Sequence, residues 1–488
     1  MTARRKSIAD LARPDTFRGA GGSGNPDHLT DLGAAERFAF KHGRELRYDH
    51  RRGMWLRWAS HRFQPDADQA IVRIAGTFAR DLQREALFIP ELERRDRVVR
   101  WAIGLERRSA LDNTLVLARA MAPIADSGER WDRDPWLFGA LNGVVPLKTG
   151  ELRDGRPDDR VTMSAAVEYH ADAKCPRWEQ AIGEIFDGDS ELIGFIQRAV
   201  GYSLTGITTE QILFICYGTG ANGKGTFLNT LARLLGDYAF NMPFATVEMH
   251  QRAAIPNDLA ALVSRRLVIA SETNDGARLN EARVKALTGC DPITARFLHS
   301  EFFTFEPVAK FWLAVNHKPT VRDDSHGFWR RVRLVPFTRT FAVNPNLGRE
   351  LEAEREGILA WAVRGCLAWQ QQGLLVPLAV AGATSEYQAD SDPLYGFLEE
   401  SCEQRPDAQA RASELASAYR AWADRQGLGD RERLNATLFG RRMAERFQRA
   451  KVRAGLVYRG IGIRDEMTGR LAGLSPSAPP PGVGSAQG

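Results

Sequence analysis

Lys224 carries the most chemical information in this chain. It lies near the end of the run Gly218, Thr219, Gly220, Ala221, Asn222, Gly223, Lys224, Gly225, Thr226, whose spacing is that of a phosphate-binding loop. Glycines let backbone N–H groups turn inward around a polyphosphate, and a helix opening at the lysine adds positive potential. The lysine supplies a mobile point charge for β- and γ-phosphates. The flanks agree. Residues 212–217 are a short continuous apolar run, as in a buried parallel strand, and Phe227, Leu228, Leu231, Leu234 and Leu235 recur at helical spacing. The residue after such a lysine is usually a Ser or Thr that contacts Mg²⁺. Here it is Gly225, and the hydroxyl comes one position later, at Thr226. The expectation is binding of ATP with Mg²⁺, the metal contact falling on Thr226 or on water.

Two further apolar runs end in polar residues suited to such a site. Residues 267–270 lead into Ser271 and Glu272. An acid at that tip serves the metal, the attacking water, or both. Asp275, in a loop, is the nearest helper. Residues 311–315 end in Asn316, an amide able to sense a γ-phosphate or position water. Next come Asp323, Asp324 and Ser325, then Gly327, Phe328, Trp329, Arg330 and Arg331, ahead of the strand-like Val332, Leu334 and Val335. An arginine supplied to a neighbouring copy's phosphates stabilises transition-state charge. Taken alone, the two arginines read better as surface residues in local ion pairs.

The rest of the chain must position these residues. At 488 residues with 43% hydrophobic content, it divides into several soluble domains. No apolar run is long enough to span a bilayer, and the basic start lacks an apolar signal core. Five scattered cysteines without a Cys-x-x-Cys pair exclude a zinc ribbon and a disulfide framework and fit a reducing cytoplasm. The net charge is +5, with arginine well ahead of lysine, which favours planar phosphate recognition. Residues 14–26 are rich in Gly and Pro and read as a flexible leader. A mostly helical pattern follows, with Trp55 and Trp58 on a possible short strand. Residues 141–150 look like a hairpin with Asn-Gly and Thr-Gly turns. Trp55, Trp58, Trp101 and Trp136 are read as core rather than as base-stacking residues. A small charged segment near the C-terminus places Arg441 and Arg442 on a helix and Lys451, Arg453, Tyr458 and Arg459 in a wing-like hairpin, suited to phosphate contacts.

Together these residues resemble a superfamily 3 helicase, and more narrowly the helicase part of the phage and plasmid primase-helicase family related to the poxvirus primase-helicase. The resemblance extends upstream through residues 141–147, 173–178 and 197–206, and through 278–291, Phe305-Glu306-Pro307 and Asn316-His317-Lys318-Pro319. It departs at Gly225 and at Cys290, where relatives commonly have Gly. It implies an α/β fold: a P-loop AAA+-like helicase core, with a parallel sheet and flanking helices, an α-rich N-terminal collar region and a C-terminal winged-helix domain. The division expected is a leader at 1–29, a mostly helical region at 30–135 and a collar at 136–209. The ATPase core spans 210–345, a helical connection 346–390, a winged helix 391–466 and a tail 467–488.

The resemblance also implies roles. Lys224 and the 218–226 loop bind ATP, Glu272 is the Walker-B-like acid, Asn316 the sensor, and Arg330 or Arg331 the arginine finger. Lys285, Arg296 and Lys310 lie in the region facing a DNA pore or a subunit interface. Members form homo-oligomeric rings, usually hexamers, acting on single-stranded and forked DNA beside a primase or polymerase, here in the cytoplasm of a bacterial host. No primase domain is expected, because the close pair Asp66 and Asp68 follows no apolar strand. Two other readings remain: a replication initiator or loader using ATP as a switch, and a remodelling or packaging NTPase.

Overall fold

Continuous apolar runs without polar alternation belong in strands covered on both faces, and three such runs, with two further strands, form the centre of this protein. The computed structural model describes residues 28–249, 257–272, 277–289, 291–296, 301–323, 325–392, 394–429, 433–453 and 455–464, and the backbone of 471–472. Nearly all of the expected leader, Asp275 with its loop, Cys290, Asp324 and most of the expected tail fall outside the described residues.

The strands are β1 (Leu213–Tyr217), β2 (Ala239–Asn241), β3 (Leu267–Ser271), β4 (Lys310–Val315) and β5 (Val332–Pro336). They pair in parallel in the order β5–β1–β4–β3–β2. On one face Phe214, Cys216 and Trp312 pack against Phe227, Leu228 and Leu231 of α1 (Lys224–Leu235), and against the helices Ser190–Ser203 and Arg355–Gln372. On the other face Leu213, Ile215, Val268 and Leu313 pack with Val284 and Leu287 of α2 (Glu281–Thr288) and with Tyr387 of α3 (Leu378–Ser391). Phe214 and Trp312 stack with ring centroids 4.2 Å apart.

The N-terminal region adds a sheet to the expected helices. The helices are Asp31–His42, Ala70–Ala86, Leu92–Gly104 and Arg108–Ala118. Strands Leu46–Asp49, Met54–Ala59, Arg62–Pro65 and Ala125–Asp126 form a four-stranded sheet beside them. These strands are short and rich in arginine, so their alternation is weak; Leu56 and Phe63 nevertheless bury against Trp131. Trp55, Trp58, Trp101 and Trp136 are half-buried rather than fully enclosed. The hairpin pairs Leu137–Ala140 with Gly143–Pro146 and turns at Leu141 and Asn142, so it starts before the expected run. Asp66 accepts from Ala70 N at 2.8 Å, while Asp68 pairs with Arg73. Both carboxylates are thus engaged at one helix start.

Near the C-terminus, helices Tyr395–Ser401 and Ala412–Arg425 and α4 (Ala436–Arg446) share a core of Phe397, Tyr419, Phe439 and Tyr458. Strands Gln409–Arg411, Gly455–Arg459 and Arg449–Val452 make an antiparallel sheet whose last two strands form a hairpin. Among the described residues, no helix is long and apolar enough to cross a membrane.

Candidate nucleotide and nucleic-acid sites

The strand order brings three predicted residues to one edge. Because β4 lies between β1 and β3, Asn316 stands between the glycine loop that follows β1 and Glu272 that follows β3. Lys224 Nζ donates to Asn316 Oδ1 at 3.2 Å, to Asn222 Oδ1 at 3.1 Å and to the Gly218 carbonyl. Only 6% of Lys224 is exposed, and that burial lowers its pKa. Its partners are neutral oxygens, so an arriving anion displaces dipoles rather than a carboxylate. Asn222 is itself fixed, donating Nδ2 to the Phe337 carbonyl at 3.3 Å, and the Ala221 carbonyl accepts from Phe341 N at 2.8 Å.

Glycine is required at two loop positions. A Cβ on Gly218 would lie 2.3 Å from the Phe337 carbonyl oxygen, and Gly223 has φ +84° with Ile185 only 2.8 Å from its would-be Cβ. Gly225 differs, since a Cβ there would meet nothing within 4 Å. Its lack of a side chain is therefore not imposed by space, and the half-buried Thr226 is the first hydroxyl on α1. Glu272 is half-buried. Its amide donates to the Ala314 carbonyl at 2.9 Å, and its Oε2 lies 3.5 Å from His317 N.

Arg330 and Arg331 occupy the opposite end of the same sheet. Leu213 N donates to the Arg331 carbonyl at 2.8 Å, where β1 begins. The five residues of β1 put them about 17 Å from the glycine loop at roughly 3.3 Å per residue. Within one chain they cannot serve Lys224's site. Gln211 meets them both, a residue that sequence reasoning passed over because nothing in its neighbours marks it.

The structure separates the proposed nucleic-acid residues sharply, and two are corrected. Lys310 is 2% exposed. Its Nζ donates to the carbonyls of Thr205, Ile207 and Val308, and burial holds its pKa well below the ordinary lysine value. As the first residue of a central strand, it points into the junction with the preceding helices and cannot reach DNA. Arg442 is 7% exposed and donates to the Arg322 carbonyl at 2.8 Å, because its side of α4 packs against the central domain. Lys285 is half-buried and pairs with Asp323, also donating to Ser325 Oγ at 3.0 Å. Arg296 is exposed, its guanidinium 4.9 Å from the Phe302 ring. Arg441, Lys451 and Arg453 are exposed on α4 and the hairpin. Arg266, unremarked in the sequence, is a second buried cation below the sheet, donating to Leu204 O and Leu137 O at 2.7 Å each.

The fold and this edge define a mixed α/β protein with a parallel central sheet and flanking helices. Residues 35–187 match the family described as D5 N terminal like, a match that crosses the boundary expected at 135, and residues 216–331 match a family of unknown function. A protein of Acanthamoeba polyphaga mimivirus, provisionally named helicase L207/L206, is 25% identical over 292 residues, 55% of this chain and 30% of that one. A protein of African swine fever virus, provisionally named primase C962R, is 25% identical over 327 residues, 60% of this chain and 33% of that one. A solved structure of the NrS-1 C terminal region aligns over 74% of this chain and 75% of that one, at 12% identity and a TM-score of 0.44. Over residues 35–187 the chain is thus similar to the D5 N terminal like family, and its curated relatives are viral proteins provisionally named helicases or primases. It spans about a third of the length of these two curated relatives. Both are viruses of eukaryotes, so they lend no support to the expected bacterial host.

Proposed function

We propose that the protein is an ATP-driven, ring-forming DNA helicase of the superfamily 3 type, acting in replication beside a primase or polymerase. The observation that carries this is the convergence of Lys224 and Asn316 at 3.2 Å on the edge that also bears Glu272. In this reading Lys224 transfers its hydrogen bonds from Gly218, Asn222 and Asn316 to the β- and γ-phosphates. Asn316, so released, turns to the γ-phosphate or its attacking water. Glu272 orients that water and accepts its proton. Thr226 and Glu272 would hold Mg²⁺, which when bound neutralises charge developing on the phosphates. The residues fit such an ion, since Thr226 is the first hydroxyl on α1 and Glu272 is a carboxylate beyond β3 at the same end of the sheet, oxygen donors of the kind Mg²⁺ takes. An arginine from the next copy completes the site, because this chain's own pair lies at the far end of the sheet. The helix order before the wing-like hairpin supports a winged-helix reading, with Arg441, Lys451 and Arg453 contacting phosphates.

Unwinding of a forked duplex tests the reading. Strand separation should require ATP and Mg²⁺ and be lost in Lys224→Ala. Tight binding to one origin sequence with negligible turnover would instead favour the initiator reading.

A further inference from the structure

Arg330 and Arg331 are adjacent and chemically alike, yet their surroundings differ. Arg331 is half-buried; its Nη1 donates to the Gly327 carbonyl and its own carbonyl accepts from Leu213 N. Arg330 is exposed, and its Nη2 donates to Gln211 Oε1 at 2.5 Å. The same oxygen accepts from Arg331 Nη2 at 3.3 Å. Gln211 has φ +53°, a left-handed conformation uncommon for a residue with a side chain, and its amide donates to the Thr208 carbonyl at 3.0 Å. Its side chain therefore leaves the chain from a fixed point just before β1.

We propose that Gln211 is a positioning residue that orients Arg330, and that Arg330 is the arginine presented to the neighbouring copy's phosphates. Arg331 is the fixed member that keeps the Gln211 carbonyl aimed. This rests on the ring-ATPase reading above. A long exposed arginine loses considerable rotamer freedom when it must act in one geometry. An amide oxygen restrains it without cancelling its charge, whereas a carboxylate in the same place would hold it and neutralise it. A neutral acceptor is the choice that leaves the full cation for a phosphate.

The test is steady-state ATP hydrolysis of the full chain, with kcat and KM measured separately. Arg330→Ala should lower kcat by about 10³-fold or more while KM for ATP stays put. Mixed with Lys224→Ala it should recover activity, since a hybrid interface pairs an intact loop with an intact arginine. Gln211→Leu should cost roughly 10-fold in kcat, the loss of one charge-assisted hydrogen bond, and should add nothing to Arg330→Ala. Gln211→Glu should melt no lower than wild type yet also lose kcat, a split that a merely structural role would not produce. An additive Gln211→Leu loss in the Arg330→Ala background would overturn the proposal. So would an Arg331→Ala that is inactive alone and recovers activity when mixed with Lys224→Ala, with Arg330→Ala active by itself. A wild type without turnover would remove the ATPase reading and this proposal with it.

Discussion

The two ends of the central sheet each bury a lysine, and they use it in opposite ways. Lys224, beyond the C-terminal end of β1, is 6% exposed; Lys310, at the N-terminal end of β4, is 2% exposed. Both donate to neutral oxygens. Around Lys224 two of these are side-chain amides, Asn222 and Asn316, on a loop whose glycines leave room for a ligand. Around Lys310 all three are main-chain carbonyls closing the junction between helix Ser190–Ser203 and the sheet. The difference is mobility of the acceptors. Amides that can turn away leave a cation ready for an anion; carbonyls fixed in the backbone leave it as an internal clamp.

The largest effect should follow from breaking the mobile end. Lys224→Ala should lower ATP turnover by at least about 10²–10³-fold with little change in thermal stability. Breaking the clamp should do the reverse. Lys310→Ala should cost about 2–5 kcal/mol in urea unfolding, through a cavity and orphaned carbonyls, and leave DNA affinity of the folded fraction unchanged. A loss of DNA affinity without a loss of stability would return Lys310 to the pore.

The clamp also predicts a pH dependence. Burial holds the folded pKa of Lys310 below the unfolded value of about 10.4. Between the two, the unfolded chain binds a proton that the folded chain lacks, so this contribution to stability rises with pH. The stability of wild type relative to Lys310→Met should therefore increase as pH rises toward the unfolded value of about 10.4; a flat difference would argue against the depressed value.

Smaller effects sharpen the same contrast in the C-terminal domain. Arg441→Ala should weaken DNA binding and reduce the salt slope by about one. Arg442→Ala should act mainly on stability, through the lost contact to the Arg322 carbonyl. The smallest effect belongs to Gly225→Ser. Open space at that Cβ predicts a gain of at most about 0.5 kcal/mol from helix propensity. It also predicts a lower Mg²⁺ requirement if the missing hydroxyl matters.

The end of the sheet that gathers Lys224, Asn316 and Glu272 was legible in the sequence because it is local. The strand, glycine loop and α1 are contiguous, and β3 and β4 are unbroken apolar runs ending in Glu272 and Asn316. The parallel sheet was legible for the same reason. The N-terminal strands were not, since Leu46–Asp49 and Arg62–Pro65 are four residues each and carry arginines that blur the alternation. Lys310 and Arg442 were misplaced because charge alone does not say which way a side chain points. Lys310 opens a strand whose neighbours cover it on both sides, and Arg442 lies on the packed side of α4. Gln211 was invisible because its partners are 119 and 120 residues away.

ATP hydrolysis with and without single-stranded DNA, wild type beside Lys224→Ala, decides between a DNA-driven motor and the other readings. Turnover should be stimulated by DNA and abolished by the substitution. Turnover equal in both proteins would contradict the assignment of the loop, and turnover indifferent to DNA would contradict the nucleic-acid motor.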